Sequence, residues 1–366
     1  MIALSYCHGL GVNTVVLPLL AVSAGFGAGV IGLMIGLSGL GQIGVRQVVM
    51  RLTHRFGERS MILAALALLI VSGLVVQVST TAFAFCLAHV IQGASRGAFW
   101  IGLQSHIVRV QDDPKRSLAS VDFLSGIGLT LGPLTIGAAH GSLTATLTIG
   151  MITAALALAP LAHLGGLPLT AVTESRRVTS IWRRPGAAPA VFAAMSTGIW
   201  RGILGTYVPV FLNQTGYSTS VAGAFVAIGS ACSIAGSLLV GVLGRRHVPI
   251  AYYVSALVIG SSLVVIGLVA DQAWLVAISM VASGVGAGAL QTISSVRAAY
   301  VTDMDERGRV VAQVGNYRAF ALLVAPLGIA GLVTWLPLGV AIAVMGTMSG
   351  APVAVRWTAR PGRSEG

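Results

Sequence analysis

The sequence predicts an all-α membrane protein with twelve transmembrane helices in two parallel six-helix repeats. The first observation is composition: of 366 residues, 55% are apolar and 9% are charged, where soluble chains are roughly 25% charged. Mean hydropathy is +0.89. Apolar runs of about 20 residues, enough to cross a bilayer core of about 30 Å as a helix, recur along the whole chain, and a buried soluble core does not account for so many. The 47 glycines suit helices whose backbones approach closely. The second observation is a basic stretch, Arg46 to Arg59, between two apolar runs. The third is a repeat. Pro18, Gly25, Gly32 and the pair His54-Arg55 are matched 191 positions later by Pro209, Gly216, Gly223 and the pair Arg245-Arg246.

The runs place spans at 1–23, 27–50, 60–79, 82–105, 117–139, 143–165, 187–211, 219–243, 249–270, 272–295, 309–333 and 335–356. A backbone in lipid must satisfy its own hydrogen bonds, so these are helices. A barrel would instead show segments of about ten alternating residues. Between the spans, Lys and Arg occur in alternate loops and not in the opposite ones: Arg51, Arg55 and Arg59; Arg109, Lys115 and Arg116; Arg176, Arg177, Arg183 and Arg184; Arg245 and Arg246; Arg307, with Arg309 at the start of the next span; then Arg356, Arg360 and Arg363. By the positive-inside rule these loops and both termini are cytoplasmic, in the plasma (inner) membrane. The formal charge of +12 is therefore mostly loop charge and forms no face for nucleic acid. The first run has no basic leader, so no cleavable signal peptide is expected. Cys7, Cys86 and Cys232 lie inside apolar runs without metal or redox spacing and read as core packing. The polar stretch 166–186 is a cytoplasmic linker between an N-terminal bundle, 1–165, and a C-terminal bundle with a short tail, 187–366. Six spans per half give both repeats the same orientation, so their pseudo-two-fold axis runs along the membrane normal.

An ionised group near the bilayer centre costs about 2.5–3.5 kcal/mol and requires a partner or a watery cavity. The interior candidates are His8, His89, Arg96, Asp122, Arg201 and Arg318; Arg46 and Arg297 lie near span ends and can snorkel. His89, Gln92, Arg96 and Trp100 share one face of span 4, read either as a cavity lining or as a buried hydrogen-bond network. Asn13 in span 1, Trp200 beside Arg201 in span 7, and Gln313, Asn316, Tyr317 and Arg318 in span 11 are further polar positions. Asp122 is the only carboxylate within a span. It reads either as a partner of Arg96 or as a proton-coupling acid. His89 is the other proton candidate, since a histidine titrates near pH 6.5.

Three local patterns carry a family resemblance. After span 2, Met50, His54, Arg55, Gly57, Glu58 and Arg59 align with a Gly-x-x-x-Asp-Arg-x-Gly-Arg-Arg loop; Arg55, Gly57 and Arg59 agree, while His54 and Glu58 depart. In span 4, His89, Gln92 and Gly93 align with Arg-x-x-Gln-Gly. In span 5, Gly128, Gly132, Pro133 and Gly137 resemble a Gly-Pro motif found in many antiporters. With twelve spans in two parallel halves, the chain resembles the major facilitator superfamily, and in motif pattern its twelve-span drug and small-molecule efflux antiporters. The resemblance implies that spans 1, 4, 7 and 10 line a central cavity and that spans 3, 6, 9 and 12 face lipid. It makes Arg51, His54, Arg55, Gly57, Glu58, Arg59, Arg245 and Arg246 a conformational gate, with His54 where the family's latching Asp stands. The physical content of the Gly-Pro motif is a Pro-weakened helix with glycines on one side; plain small-residue packing is its alternative.

The repeat, the topology and the polar stripes lead to a secondary transporter working by alternating access. No nucleotide-binding loop is present, so a gradient must drive it. Arg96, Arg201 and Arg318 against Asp122 suit an anionic or zwitterionic small molecule, and the span 5 motif leans to proton-coupled efflux. Uptake of an organic anion or other metabolite is the alternative on the same fold; a non-transporting sensor or lipid flippase is the alternative from another class. An enzyme is not expected, because Asp122 and His89 make no catalytic constellation, and no cofactor or metal is implied. The expected partners are substrate, protons and the bilayer, and the resemblance implies a monomer.

Overall fold

A computed structural model describes residues 1–110, 114–162, 181–302 and 307–357 and, within these, every side chain except those at 46–56, 104–105, 108–110, 114–119, 122, 162, 183, 245, 307–309 and 311–312. The elements are α1 (Ile2–Ser23), α2 (Ala28–Val78), α3 (Ala82–Val110), α4 (Pro114–Ala138), α5 (Leu143–Leu156), α6 (Leu158–Ala162), α7 (Ala188–Gln214), α8 (Thr219–Val242), α9 (Val248–Leu268), α10 (Ala273–Tyr300), α11 (Arg307–Leu332) and α12 (Leu338–Ser349), with short 3₁₀ turns at Ile181–Arg183, Arg245–His247 and Ala351–Ala354. Among the described residues, eight stretches are long and apolar enough to cross a membrane, and Phe123–Ala138 and Leu338–Ala354 are shorter apolar helices. The spans that fall outside both groups are α3 and α7, which carry Arg96 and Arg201. With α2 counted as two segments and α5 with α6 as one, the described helices make twelve segments, eight of which contain such a stretch. This is a multi-pass integral membrane protein with an all-helical fold.

Several helices outrun their apolar runs. α3 continues to Val110, α4 starts at Pro114, and α10 continues to Tyr300, because hydropathy marks where lipid ends and not where helical hydrogen bonding ends. Spans 2 and 3 form one helix broken at Gly57, whose φ of 80° and ψ of 164° interrupt α2. That conformation is open essentially to glycine alone.

The fold divides into two compact units, Met1–Thr173 with Leu204–Ala231, and Glu174–Ile203 with Cys232–Gly366. Backbone geometry repeats along the chain. After α1, Gly25 N–H donates to Val22 O and Phe26 N–H to Ala21 O; after α7, Gly216 N–H donates to Asn213 O and Tyr217 N–H to Leu212 O. Both are Schellman endings with a left-handed glycine, φ 87° at Gly25 and 101° at Gly216. Each residue of the second ending stands 191 positions after its counterpart.

Close helix approach also repeats. A Cβ on Gly93 of α3 would overlap the Ser38 carbonyl of α2, and one on Gly41 would overlap the Val90 carbonyl. In the second unit the same relations join Gly288 to Ser233 and Gly236 to Val285, each residue 195 positions on. Where lipid surrounds the helices, apolar burial does little to hold them together, and backbone approach at small residues does more. In the second unit, Arg297 packs over the Trp357 ring at 4.6 Å and donates from Nε to Gly186 O at 3.0 Å. Tyr253 Oη donates to Val355 O at 3.1 Å and accepts from Trp357 N–H at 2.8 Å. A cation and a phenol thus tie the chain before α7 and the chain after α12 to α10 and α9.

Glycine substitutions will separate these roles. Gly93→Ala and Gly288→Ala meet backbone, so each should destabilise by roughly 1–3 kcal/mol. Gly57→Ala meets no atom within 4 Å and should cost a similar ~1–3 kcal/mol through its dihedral angles alone. Gly315→Ala, also in open space, should be neutral or stabilising. Thermal unfolding of detergent-solubilised protein reads all four.

Candidate functional site

α1 is largely apolar, and several of its polar side chains find partners on neighbouring helices. Tyr6 Oη lies 2.9 Å from Ser95 Oγ on α3, and Ser95 donates on to Ala65 O of α2 at 2.7 Å. The Tyr6 ring stacks on Phe99 with centroids 3.6 Å apart. Asn13 Nδ2 donates to Leu69 O of α2 at 3.4 Å. Thr14 donates to Leu10 O at 2.7 Å and accepts from Arg96 Nη2 at 3.4 Å.

The α3 stripe is thus brought against α1, with its members in different surroundings. His89 and Gln92 are 2% and 3% exposed. Among the described residues neither ring nitrogen of His89 has a hydrogen-bond partner, nor does Gln92 Nε2. Arg96 is half-buried, and Thr14 is its hydrogen-bond partner among the described residues. Trp100 leaves this polar group: it packs edge-on to Phe99 against the apolar cluster around Tyr6, Met61 and Ile107.

The span 5 glycines meet α1. A Cβ on Gly128 would lie 2.8 Å from His8 N and 3.0 Å from Cys7 Cβ, and one on Gly132 would lie 2.8 Å from His8 O. Close packing therefore accounts for both. Pro133 is buried, while Gly137 is exposed with nothing within 4 Å of a Cβ.

In the second unit Trp200 is 1% exposed, and its indole N–H has no partner among the described residues. Arg201 and Arg318 are half-buried, and Asn316 is exposed. Tyr317 packs edge-on to Trp182, and Gln313 Oε1 accepts from Ile181 N–H at 3.0 Å. These two members of the span 11 polar face hold the 3₁₀ turn ahead of α7. Of the gate residues, Glu58 is buried next to the break at Gly57, and Arg59 and Arg246 are exposed. The side chains of Arg51, His54, Arg55 and Arg245, and that of Asp122, lie outside the described residues.

Sequence reading passed over Tyr6, Thr14 and Ser95. The available signal was a polar residue inside an apolar run; the partner 89 positions away in the Tyr6–Ser95 pair carried no local signature.

The described residues form a bundle of apolar helices with buried polar groups reaching from helix to helix. Residues 1–326 match the Major Facilitator Superfamily, and the chain belongs to that family. No curated protein matches it in sequence. Its fold is similar to that of the nucleoside transporter NupG, with a TM-score of 0.77 and 12% identity over 96% of this chain and 97% of that one. It is also similar to a POT family transporter in complex with a thioalcohol-conjugated peptide, with a TM-score of 0.75 and 10% identity over 96% and 94%. A third likeness is to a POT family transporter in complex with 5-aminolevulinic acid, with a TM-score of 0.74 and 11% identity over 96% and 94%. At these identities the likeness is one of fold.

The Tyr6–Ser95–Ala65 chain can be probed from both ends. Tyr6→Phe leaves Ser95 bonded to Ala65 O and should cost about 1 kcal/mol. Ser95→Ala strands a buried phenol and should cost more, about 1–3 kcal/mol. Urea or thermal unfolding in detergent that ranks the two the other way would contradict this hydrogen-bond order.

Proposed function

We propose that this protein is a secondary active transporter that moves a small organic solute by alternating access, through proton-coupled efflux, and that the solute carries a negative charge or is a zwitterion. Family membership supports transport. The observation that carries the solute class is Arg96: a guanidinium in the middle of α3 whose hydrogen-bond partner among the described residues is one threonine hydroxyl, at 3.4 Å. Arginine holds its charge under all physiological conditions. A carboxylate or phosphate is the partner its planar fork matches, often bidentately. The neighbouring Gln92 amide N–H₂ is a second donor without an acceptor among the described residues. His89, Asn13, Trp100, Trp200, Arg201, Asn316, Tyr317 and Arg318 remain candidate solute contacts, and Asp122 and His89 candidate proton carriers. The loop after span 2, with Arg245 and Arg246, is a candidate gate on the cytoplasmic side of the inner membrane, where both termini are placed.

Efflux rests on the span 5 glycine-proline pattern. Uptake of an organic anion is the second reading, and the same positive balance favours it: Arg96, Arg201 and Arg318 against Asp122 suit an anion in either direction.

Flux in proteoliposomes under an imposed pH gradient tests the reading, with a panel of organic anions, zwitterions and lipophilic cations. Anion or zwitterion movement should follow the gradient, and Arg96→Ala should lower it at least tenfold, while Arg96→Lys retains part of it. Movement of the cations alone, or anion flux untouched by Arg96→Ala, would remove the charge argument.

A further inference from the structure

We propose that His8 is a proton-binding site in which protonation of the imidazole is coupled to the packing of α1 against α4 and α5. Its part in transport rests on the proton-coupled reading above; its existence as a proton site does not.

The geometry is a hydroxyl on each side of one ring. His8 Nδ1 lies 2.7 Å from Thr153 Oγ1 on α5, and His8 Nε2 lies 3.3 Å from Thr135 Oγ1 on α4. A threonine hydroxyl has one proton to donate. Thr153 places its proton toward Gly150 O at 2.9 Å. Thr135 places its own toward Gly132 O, with Leu131 O at 3.3 Å. When both hydroxyls donate to their own helices, both oxygens are acceptors toward the ring. Both ring nitrogens can then donate only if both carry protons, which is the imidazolium. The neutral ring has one donor and one bare nitrogen. To satisfy it, one threonine must turn its proton from the helix carbonyl to the ring. Loss of the proton from His8 therefore rotates a hydroxyl on α4 or α5. Threonine back-bonding of this kind bends helices slightly, so the rotation alters the helix that carries it.

The position of this switch gives it leverage. Gly128 and Gly132 make their close approaches to α1 on either side of His8, the first at Leu4 O and His8 N and the second at Val12 N and His8 O, and Thr135 follows two residues after Pro133, which already removes one backbone donor from α4. The antiporter-like motif and the switch are thus one piece of structure.

Among the described residues the hydrogen-bond partners of the ring are the two threonine hydroxyls and no charged side chain. α5 and α6 contain no titratable residue, nor do the α8 residues 219–231. On α4 the titratable residues are Lys115, Arg116 and Asp122, all at least six positions before Gly128 and with side chains outside the described residues. On α1, Tyr6 turns to Ser95 and Cys7 meets Gly128. On α3, Arg96 reaches Thr14, and α2 contributes Glu58 and Arg59 at its break. From α7, Tyr207 donates to Ala28 O. His89 lacks this arrangement: among the described residues neither of its ring nitrogens has a hydrogen-bond partner.

The test is ¹⁵N-histidine NMR of the purified full-length protein in nanodiscs, titrated between about pH 5 and 8, where histidine changes charge. No substrate is needed, so the result is independent of the transport reading. One imidazole resonance should shift with pH and vanish in His8→Gln, which keeps hydrogen-bonding capacity toward both threonines. That titration should be lost in the double variant Thr135→Val/Thr153→Val, while the remaining histidine signals stay unchanged. A His8 signal constant across the range, or one that titrates identically in the double valine variant, would overturn the proposal and leave His8 as a structural pin. Should His8→Gln fail to fold, the double valine variant carries the test alone.

Discussion

Backbone approach at small residues is the constraint on which the rest of this fold depends. In lipid, burying apolar side chains against one another does little that the acyl chains do not already do. Helices must therefore meet where side chains leave their backbones bare. Gly93 on Ser38 and Gly41 on Val90 do this for α2 and α3; Gly288 on Ser233 and Gly236 on Val285 do it for α10 and α8. Gly128 and Gly132 bring α4 onto α1 in the same way. The glycine content that first marked the sequence as unusual is thus the fabric of its helix interfaces.

Once the backbones touch, short polar side chains can reach between helices, and α1 becomes the hub. Tyr6 reaches α3 and Asn13 reaches α2, while His8 reaches α4 and α5. Arg96 comes back to α1 from α3. A change in any of these groups, by protonation or by an arriving solute, has to be absorbed by a neighbouring helix. This physical property is what the proposed proton site and the proposed anion contact share.

The sequence reading and the structure agree best where the signal is local. Apolar runs announce helices because lipid permits no other open backbone, and the left-handed glycines at 25 and 216 sit where the 191-residue repeat places them. The agreement is weaker along the helix faces. His89, Gln92, Arg96 and Trp100 share a stripe by spacing, yet Trp100 belongs to an apolar cluster and His89 and Gln92 are closed in. Gln313 and Tyr317 looked like a polar face of span 11 and instead hold the turn before α7. Spacing along a helix states which residues lie on one side; it does not state what stands opposite.

The sequence by itself determined the class of molecule. Hydropathy, the placement of Lys and Arg, and one repeated offset establish a multi-pass helical membrane protein of two related halves, since each reflects a cost levied residue by residue at the bilayer. Tertiary structure alone decided which polar groups are satisfied and which still have donors to spare. Thr135 and Thr153 become partners of His8 only when α4 and α5 close on α1, and among the described residues the hydrogen-bond partner of Arg96 is a threonine of α1. Such pairings join residues 82 to 145 positions apart, and a hydrogen bond leaves no periodicity in the chain.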